Sequence, residues 1–173
     1  MTYIINSIDE LEELINNRKY IDNLIIGIED NINHLLRNLT HLTHLKFGYH
    51  YDQFTDLSYL SNLQHLEFGC NYDQPTNLTQ LTNLQYLEFK YEYNQLTDLS
   101  TLLNLTYLEF GWYYNQPTDL STLLNLYRLK FGFRENYNQP TDLSKCKKLK
   151  MLNNKNIEEL DLSTYRNGIF KKS

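Results

Sequence analysis

One phrase of this sequence returns every 21 residues. In each copy a leucine opens the pattern L-x-F-(G/K), and two variable residues, Tyr, Asp/Asn, Gln, usually Pro, Thr, Asp/Asn and Leu follow. A single copy is too short to bury its own apolar side, so consecutive copies must stack on one another. The sequence therefore predicts a solenoid. The leucines that open the five clear copies are Leu45, Leu66, Leu87, Leu108 and Leu129.

A second leucine lies three residues before the first, so the unit is L-x-x-L-x-F. Its last three positions alternate apolar, polar and apolar residues, which is typical of a short strand with one buried face. The return to the next copy, for example Thr118 to Leu126, is too short for a full helix. We therefore expect one short strand per copy, connected by turns and single 3-10 turns.

The chain is predicted to form a single domain with a cap at each end. Ser7 and Glu10 make a capping-box signature, and apolar residues then recur at helical spacing, so we expect a capping helix. The fifth copy carries two extra residues within 133–136, which should bulge as a loop. The predicted boundaries are 1–23 for the N-terminal cap, 24–152 for the repeats and 153–173 for the C-terminal cap and tail.

Most repeated positions have structural explanations. Leucine and phenylalanine should fill the core in layers, and Cys146, at a repeated leucine position, should act as a small core residue. The tyrosines should pack at the core edge with their hydroxyls on polar partners. The Asp/Asn column should bond the backbone of neighbouring turns, and the glutamines should form a second ladder. These columns are Tyr51, Tyr72, Tyr93, Tyr114 and Tyr137; Asp52, Asp73, Asn94, Asn115 and Asn138; Gln53, Gln74, Gln95, Gln116 and Gln139.

Two columns vary between copies, and these are the candidate recognition residues. They lie on either side of the strand leucine, on the face turned away from the core, about 4.8 Å apart from strand to strand. Together they predict an acidic stripe beside an aromatic column, a surface suited to an extended partner with a basic segment. The alternative is a solvated face with no ligand. The predicted binding residues are His65, Glu67, Tyr86, Glu88, Tyr107, Glu109, Arg128 and Lys130, with His44 and Lys46 at the near end.

A third variable column follows the strand, two residues beyond each phenylalanine. Exposed, these side chains would be candidates for a binding hot spot. Continued strand alternation would instead turn them inward, and we favour a core position for them. The column consists of Tyr49, Cys70, Tyr91, Trp112 and Phe133.

The repeat resembles known families. The unit L-x-x-L-x-F is similar to the leucine-rich repeat, and the stretch from Asn115 to Leu126 resembles the return segment of internalin-type repeats. The stretch from Phe110 to Pro117 resembles the FNIP variant, which is frequent in social amoebae and in large DNA viruses that infect them. The resemblance implies an α/β fold: a right-handed solenoid with a parallel β-sheet on the concave face, turns or 3-10 segments on the convex face and a capping helix. It also implies a protein-binding platform.

The charge distribution leaves two other functions open. Residues 1–127 hold 5 Lys/Arg against 16 Asp/Glu, whereas residues 128–173 hold 11 against 5. Oppositely charged ends would suit a structural protein that associates head to tail. The basic cluster Lys145, Lys147, Lys148 and Lys150 is either a solvated face or a contact for nucleic acid or an anionic membrane. A nucleic-acid partner is disfavoured, because such proteins usually carry a basic stripe along the body.

Chemical roles are weakly supported. His44, His65 and Glu67 could together hold zinc, although the sequence has no metal-ligand spacing motif. We find no catalytic constellation, and we predict a protein that is not an enzyme and needs no cofactor. No targeting segment or membrane span is recognisable, so no membrane partner and a cytoplasmic location are expected, in a host cell or a virion if the protein is viral.

Overall fold

The computed structural model describes residues 1–17, 20–132, 137–153, 155–156 and 170–171. Its main feature is a nine-stranded sheet whose strands follow chain order, one per turn of the solenoid up to β7. All neighbours in this sheet are parallel except β10, which pairs with β9 in the antiparallel sense. The strands of this sheet are β1 (Thr2–Ile5), β2 (Asn23–Ile26), β3 (His44–Phe47), β4 (His65–Glu67), β5 (Tyr86–Glu88), β6 (Tyr107–Glu109), β7 (Arg128–Lys130), β9 (Met151–Leu152) and β10 (Lys155–Asn156).

A second, two-stranded sheet pairs β8 (Thr141–Asp142) with β11 (Phe170–Lys171) in parallel. Two helices lie in the first turns, α1 (Ile8–Asn16) and α2 (Asn33–Leu36). The later return segments are pairs of consecutive turns, as in the hydrogen bonds from Leu102 N–H to the Leu99 carbonyl and from Leu105 N–H to the Leu102 carbonyl, both 3.0 Å. The predicted turns are therefore confirmed.

The strand register follows the 21-residue period. Leu45, for example, pairs with Leu24 on one side and with Leu66 on the other, and all three are buried. Because each copy places the same side chain at the same height, the core consists of continuous rows of leucine, phenylalanine and tyrosine. Cys146 is buried as predicted, and burial raises the pKa of its thiol to about 11.

The buried aromatic rings form a stack through the core. Phe89, for example, lies 5.0 Å from Phe68 and 3.7 Å from Tyr93 between ring centroids. Each tyrosine of the stack bonds a threonine four residues later, as in the 2.6 Å contact between the Tyr93 and Thr97 hydroxyls. Burial raises the pKa of Tyr93 to about 12. The predicted polar partners of the tyrosine hydroxyls are confirmed, whereas the rings lie within the core and not at its edge.

The Asp/Asn and glutamine columns connect consecutive turns. The Asp73 carboxylate accepts a hydrogen bond from the backbone N–H of Asn94 at 2.8 Å and another from the Gln95 side chain at 3.0 Å. The same pair of bonds recurs from Asp52 to Asn115. The predicted backbone ladder is confirmed, and the glutamines support it by bonding the same acceptors.

The N-terminal end contains the predicted helix and an additional strand. Ser7 accepts a hydrogen bond from Glu10 N–H at 3.2 Å, and Glu10 accepts one from Asn6 N–H at 2.8 Å, so the capping signature is real. Leu11 and Leu14 of α1 are buried. The sequence analysis did not predict β1, which precedes α1 and forms the first strand of the sheet. The capping role of α1 stays a prediction.

Several expectations fall outside the described residues. These are the bulge within 133–136, the exposure of Phe133, and most of the C-terminal cap and tail predicted over 153–173. The domain boundaries themselves stay predictions.

Candidate functional site

The variable columns lie side by side on the outer face of the nine-stranded sheet, which we call the sheet face. Glu67 pairs in register with Glu88, and Glu88 with Glu109, while Tyr86 pairs with Tyr107. Each strand shows the same burial pattern, a buried leucine between two partly exposed residues. The predicted binding residues are therefore brought together on one surface.

The first column is a stack of planar side chains. Ring centroids are 5.4 Å apart for His44 and His65, 3.9 Å for His65 and Tyr86, and 4.2 Å for Tyr86 and Tyr107. The Arg128 guanidinium continues the stack, 5.9 Å from the centroid of the Tyr107 ring. This column thus presents ring edges and polar atoms to the solvent, because each ring face is covered by its neighbour in the stack.

The second column is hydrogen-bonded to the first within each strand. His65 Nε2 lies 2.8 Å from Glu67 Oε1, the Tyr86 hydroxyl donates to Glu88 Oε2 at 2.5 Å, and the Tyr107 hydroxyl donates to Glu109 Oε2. Burial and these carboxylates raise the pKa of both tyrosines. Each glutamate therefore accepts a hydrogen bond from a ring residue of its own strand.

Lysines pair with the same glutamates. Lys46 Nζ lies 2.8 Å from Glu67 Oε2, and Lys130 forms an ion pair with Glu109. The hydrogen bond from His65, followed by the one from Lys46, lowers the pKa of Glu67 to about 2. In return, the Glu67 carboxylate raises the pKa of Lys46.

Lys90 is a residue of the site that the sequence analysis did not single out. Its ammonium lies 3.5 Å from Glu67 Oε2 and 3.7 Å from Glu88 Oε1. The repeated sequence motif contained a signal for this residue, since Lys90 stands where the other four copies have glycine. With Lys46 and Lys130 it balances the three glutamates, so the sheet face is a paired charge network and not a free acidic stripe.

The column after the strand is exposed, which corrects the expectation of a core position. The exposed fractions of Tyr49, Tyr91 and Trp112 are 61%, 53% and 38%, and Cys70 is partly exposed. Strand alternation does not extend this far, because the chain turns immediately after the strand. We call these four residues the rim.

A groove lies between the rim and the sheet face. Its volume is about 440 Å³. The Tyr91 and Trp112 rings form one wall, nearly parallel at a centroid distance of 5.7 Å. Gly111 is part of the lining, and a Cβ there would lie 2.1 Å from the Lys90 carbonyl oxygen, so the close approach of adjacent turns requires a bare backbone. The lining residues are Cys70, Glu88, Phe89, Lys90, Tyr91, Glu109, Phe110, Gly111, Trp112, Lys130 and Gly132.

Known structures share this architecture. An internalin (InlF) of Listeria monocytogenes aligns with a TM-score of 0.63 and 23% identity over 86% of this chain and 44% of that chain. The functional domain of InlJ from the same species, which includes a cysteine ladder, aligns at 0.57 and 20% over 88% and 34%. CroV588, described as a novel circular LRR protein, aligns at 0.59 and 28% over 75% and 20%.

The fold is that of a leucine-rich-repeat solenoid. The chain spans less than half the length of each of these three proteins. No protein-family model matches it, and no curated protein sequence is significantly similar to it.

The remaining expectations concern a metal site, the basic cluster and a membrane span. No group of three His, Cys, Asp or Glu side chains in the described part of the chain is arranged to hold a metal ion. Lys145, Lys147, Lys148 and Lys150 are all exposed. Within the described residues, no helix is both long and apolar enough to cross a bilayer.

Proposed function

We propose that this leucine-rich-repeat solenoid is a non-catalytic scaffold that binds an extended protein or peptide segment on its sheet face. One observation supports this most strongly: the outward columns vary along the solenoid, from histidine through tyrosine to arginine and from lysine through glutamate back to lysine, whereas the core and the polar ladders repeat. The repeated positions are explained by packing and by the hydrogen bonds between turns. The variable positions are not constrained in this way and are available for recognition. The exposed Tyr91 and Trp112 beside the groove add to the argument, since tyrosine and tryptophan are enriched at binding hot spots.

A non-catalytic role agrees with the chemistry of the face. Glu67, Glu88 and Glu109 are each engaged with a neighbouring ring residue and a lysine. The same arrangement recurs on three consecutive strands, which suits a rigid surface better than a single reacting centre. We propose a partner with a basic segment, because each of these carboxylates, although paired, keeps 16% of its side chain exposed to solvent.

Peptide selection on the immobilised solenoid would test this function. A random peptide library should yield binders, and these should lose at least about tenfold in affinity when Glu67, Glu88 and Glu109 are all changed to glutamine, since each exchange removes a charge but keeps an acceptor. The matched control is E13Q with E29Q and D30N, three exposed carboxylates elsewhere. Equal affinities for the two triple variants, or a library without binders, would contradict the proposal.

Self-association is a second candidate function, favoured by the position of β1 at one end of the sheet among the described residues. This strand pairs with β2 on one side, and Ile4 is 63% exposed. An unpaired strand edge is a template for pairing with another chain. Light scattering over a range of salt concentrations would show whether the protein associates. A monomer at every salt concentration would exclude association through oppositely charged ends.

A further inference from the structure

The groove contains a carboxylate that is less well paired than its neighbours. Glu109 has both Tyr107 and Lys130 as close partners. Glu88 has the Tyr86 hydroxyl on Oε2, but Oε1 lies 3.7 Å from Lys90, which is beyond hydrogen-bond distance. The same ammonium lies 3.5 Å from Glu67, so it is shared between two carboxylates.

Aromatic side chains also line the groove. The Tyr91 and Trp112 rings lie on adjacent turns, nearly parallel, with centroids 5.7 Å apart. A groove lined by both a carboxylate and aromatic rings is suited to a cation, because the rings attract positive charge while the carboxylate pairs with it. The volume of about 440 Å³ is ample for one long side chain.

We propose that this groove is a pocket for an arginine side chain of the partner segment, with the guanidinium on Glu88 Oε1 and beside the Tyr91 and Trp112 side chains. This inference rests on the proposed binding function. Arginine fits better than lysine, because a planar guanidinium stacks on aromatic rings and offers several N–H donors at once. The floor at Gly111 and Gly132 carries no side chains, so the backbone of an extended segment can approach closely there.

Lys90 is the competitor for this site. Lys90 stands where the other four copies have glycine. Among the described residues, it is the one whose cationic group lies within 4 Å of the Glu88 carboxylate. A guanidinium that enters the groove would form an ion pair with Glu88, and Lys90 would then pair with Glu67 alone. Replacing Lys90 by the glycine of the other copies should therefore strengthen the binding of arginine, whereas neutralising Glu88 should weaken it.

The single tryptophan of the chain makes the pocket directly observable. Trp112 lines the groove, so its fluorescence reports occupancy. The probes are acetyl-Gly-Arg-Gly-amide, its lysine and glutamate analogues, and the uncharged citrulline analogue, which has nearly the same shape as arginine. We expect a saturable change with the arginine probe, a weaker one with lysine, and none with citrulline or glutamate.

Four variants complete the experiment, with circular dichroism to verify folding. E88Q should weaken arginine binding about tenfold, the scale of a charge-assisted hydrogen bond. K90G should strengthen it about threefold, the scale of a partly exposed ion pair. Y91A should weaken binding by loss of the aromatic wall, and Y49A, an exposed rim residue outside the groove, should leave it unchanged.

A citrulline response equal to that of arginine, an E88Q titration that matches the unmodified protein, or a stronger response to the glutamate probe would overturn the arginine pocket. The scaffold function is judged separately by the selected peptides. If their affinity depends on the three glutamates while the arginine probe fails, the scaffold function stands and the pocket does not.

Discussion

Two stacks of aromatic side chains run along the solenoid, one in the core and one on the sheet face. In the core the ring type never changes along a column, and each tyrosine hydroxyl meets a threonine. On the sheet face the stack passes from histidine to tyrosine to arginine, and the polar partner is a carboxylate. The core must be filled with one shape in every turn, whereas the partly exposed stack requires only planar groups.

Removal of one ring from each stack should give the largest difference in stability between the core and the sheet face. Tyr93→Ala leaves a cavity in the core and should lower the free energy of unfolding by about 3–5 kcal/mol. Tyr86→Ala opens a gap that solvent can fill, and it should cost about 1 kcal/mol or less. Urea denaturation of both variants measures the difference, and similar losses would show that the surface stack is as structural as the buried one.

Removal of one polar partner should have a smaller effect. Thr97 bonds the Tyr93 hydroxyl at 2.6 Å and the Gln95 carbonyl at 3.0 Å. Thr97→Val keeps the shape of the side chain but leaves the buried Tyr93 hydroxyl without this hydrogen-bond partner. We therefore expect the free energy of unfolding to fall by about 1–3 kcal/mol. Tyr86→Phe is the matched change on the sheet face and should cost under about 1 kcal/mol, because water can reach Glu88. If Tyr86→Phe proved the costlier change in urea denaturation, the contrast would be reversed.

The smallest expected effect is the contribution of Glu67, on the sheet face, to acid sensitivity. The pKa of Glu67 in the folded chain is about 2, below its ordinary value of 4.5. The stability due to this lowered pKa is present above the ordinary value and is lost as the pH falls towards 2. We therefore expect E67Q to flatten the fall in the urea midpoint over this pH window. An unchanged slope would mean that Glu67 does not couple to folding.

The 21-residue period was sufficient to predict the strand register and the buried positions that repeat from copy to copy. A 21-residue period places Leu24, Leu45 and Leu66 in register, and it accounts for the buried tyrosines and for Cys146 at a leucine position. These assignments succeed because every copy constrains the next one. The helix α1 was also predictable, since its capping residues and apolar spacing are local signals.

Features that occur once were harder to predict. Lys90 breaks the glycine column, and a single departure from a repeat does not reveal where a long side chain will reach. The rim residues were assigned to the core because strand alternation was extended past the point where the chain turns. Thr2–Ile5 shares no phrase with the repeats, so β1 became evident only from its pairing with β2.

The ladder of Asp and Asn side chains runs in one direction only. Each acceptor holds the backbone N–H of the following turn, as Asp73 holds Asn94 and Asn94 holds Asn115. A duplicated 21-residue unit would thus make the same bonds to the turns before and after it, and it would lengthen the sheet face by about 4.8 Å. In evolution, the sheet face of such a solenoid can grow or shrink by whole turns, with no redesign of the parts already in place.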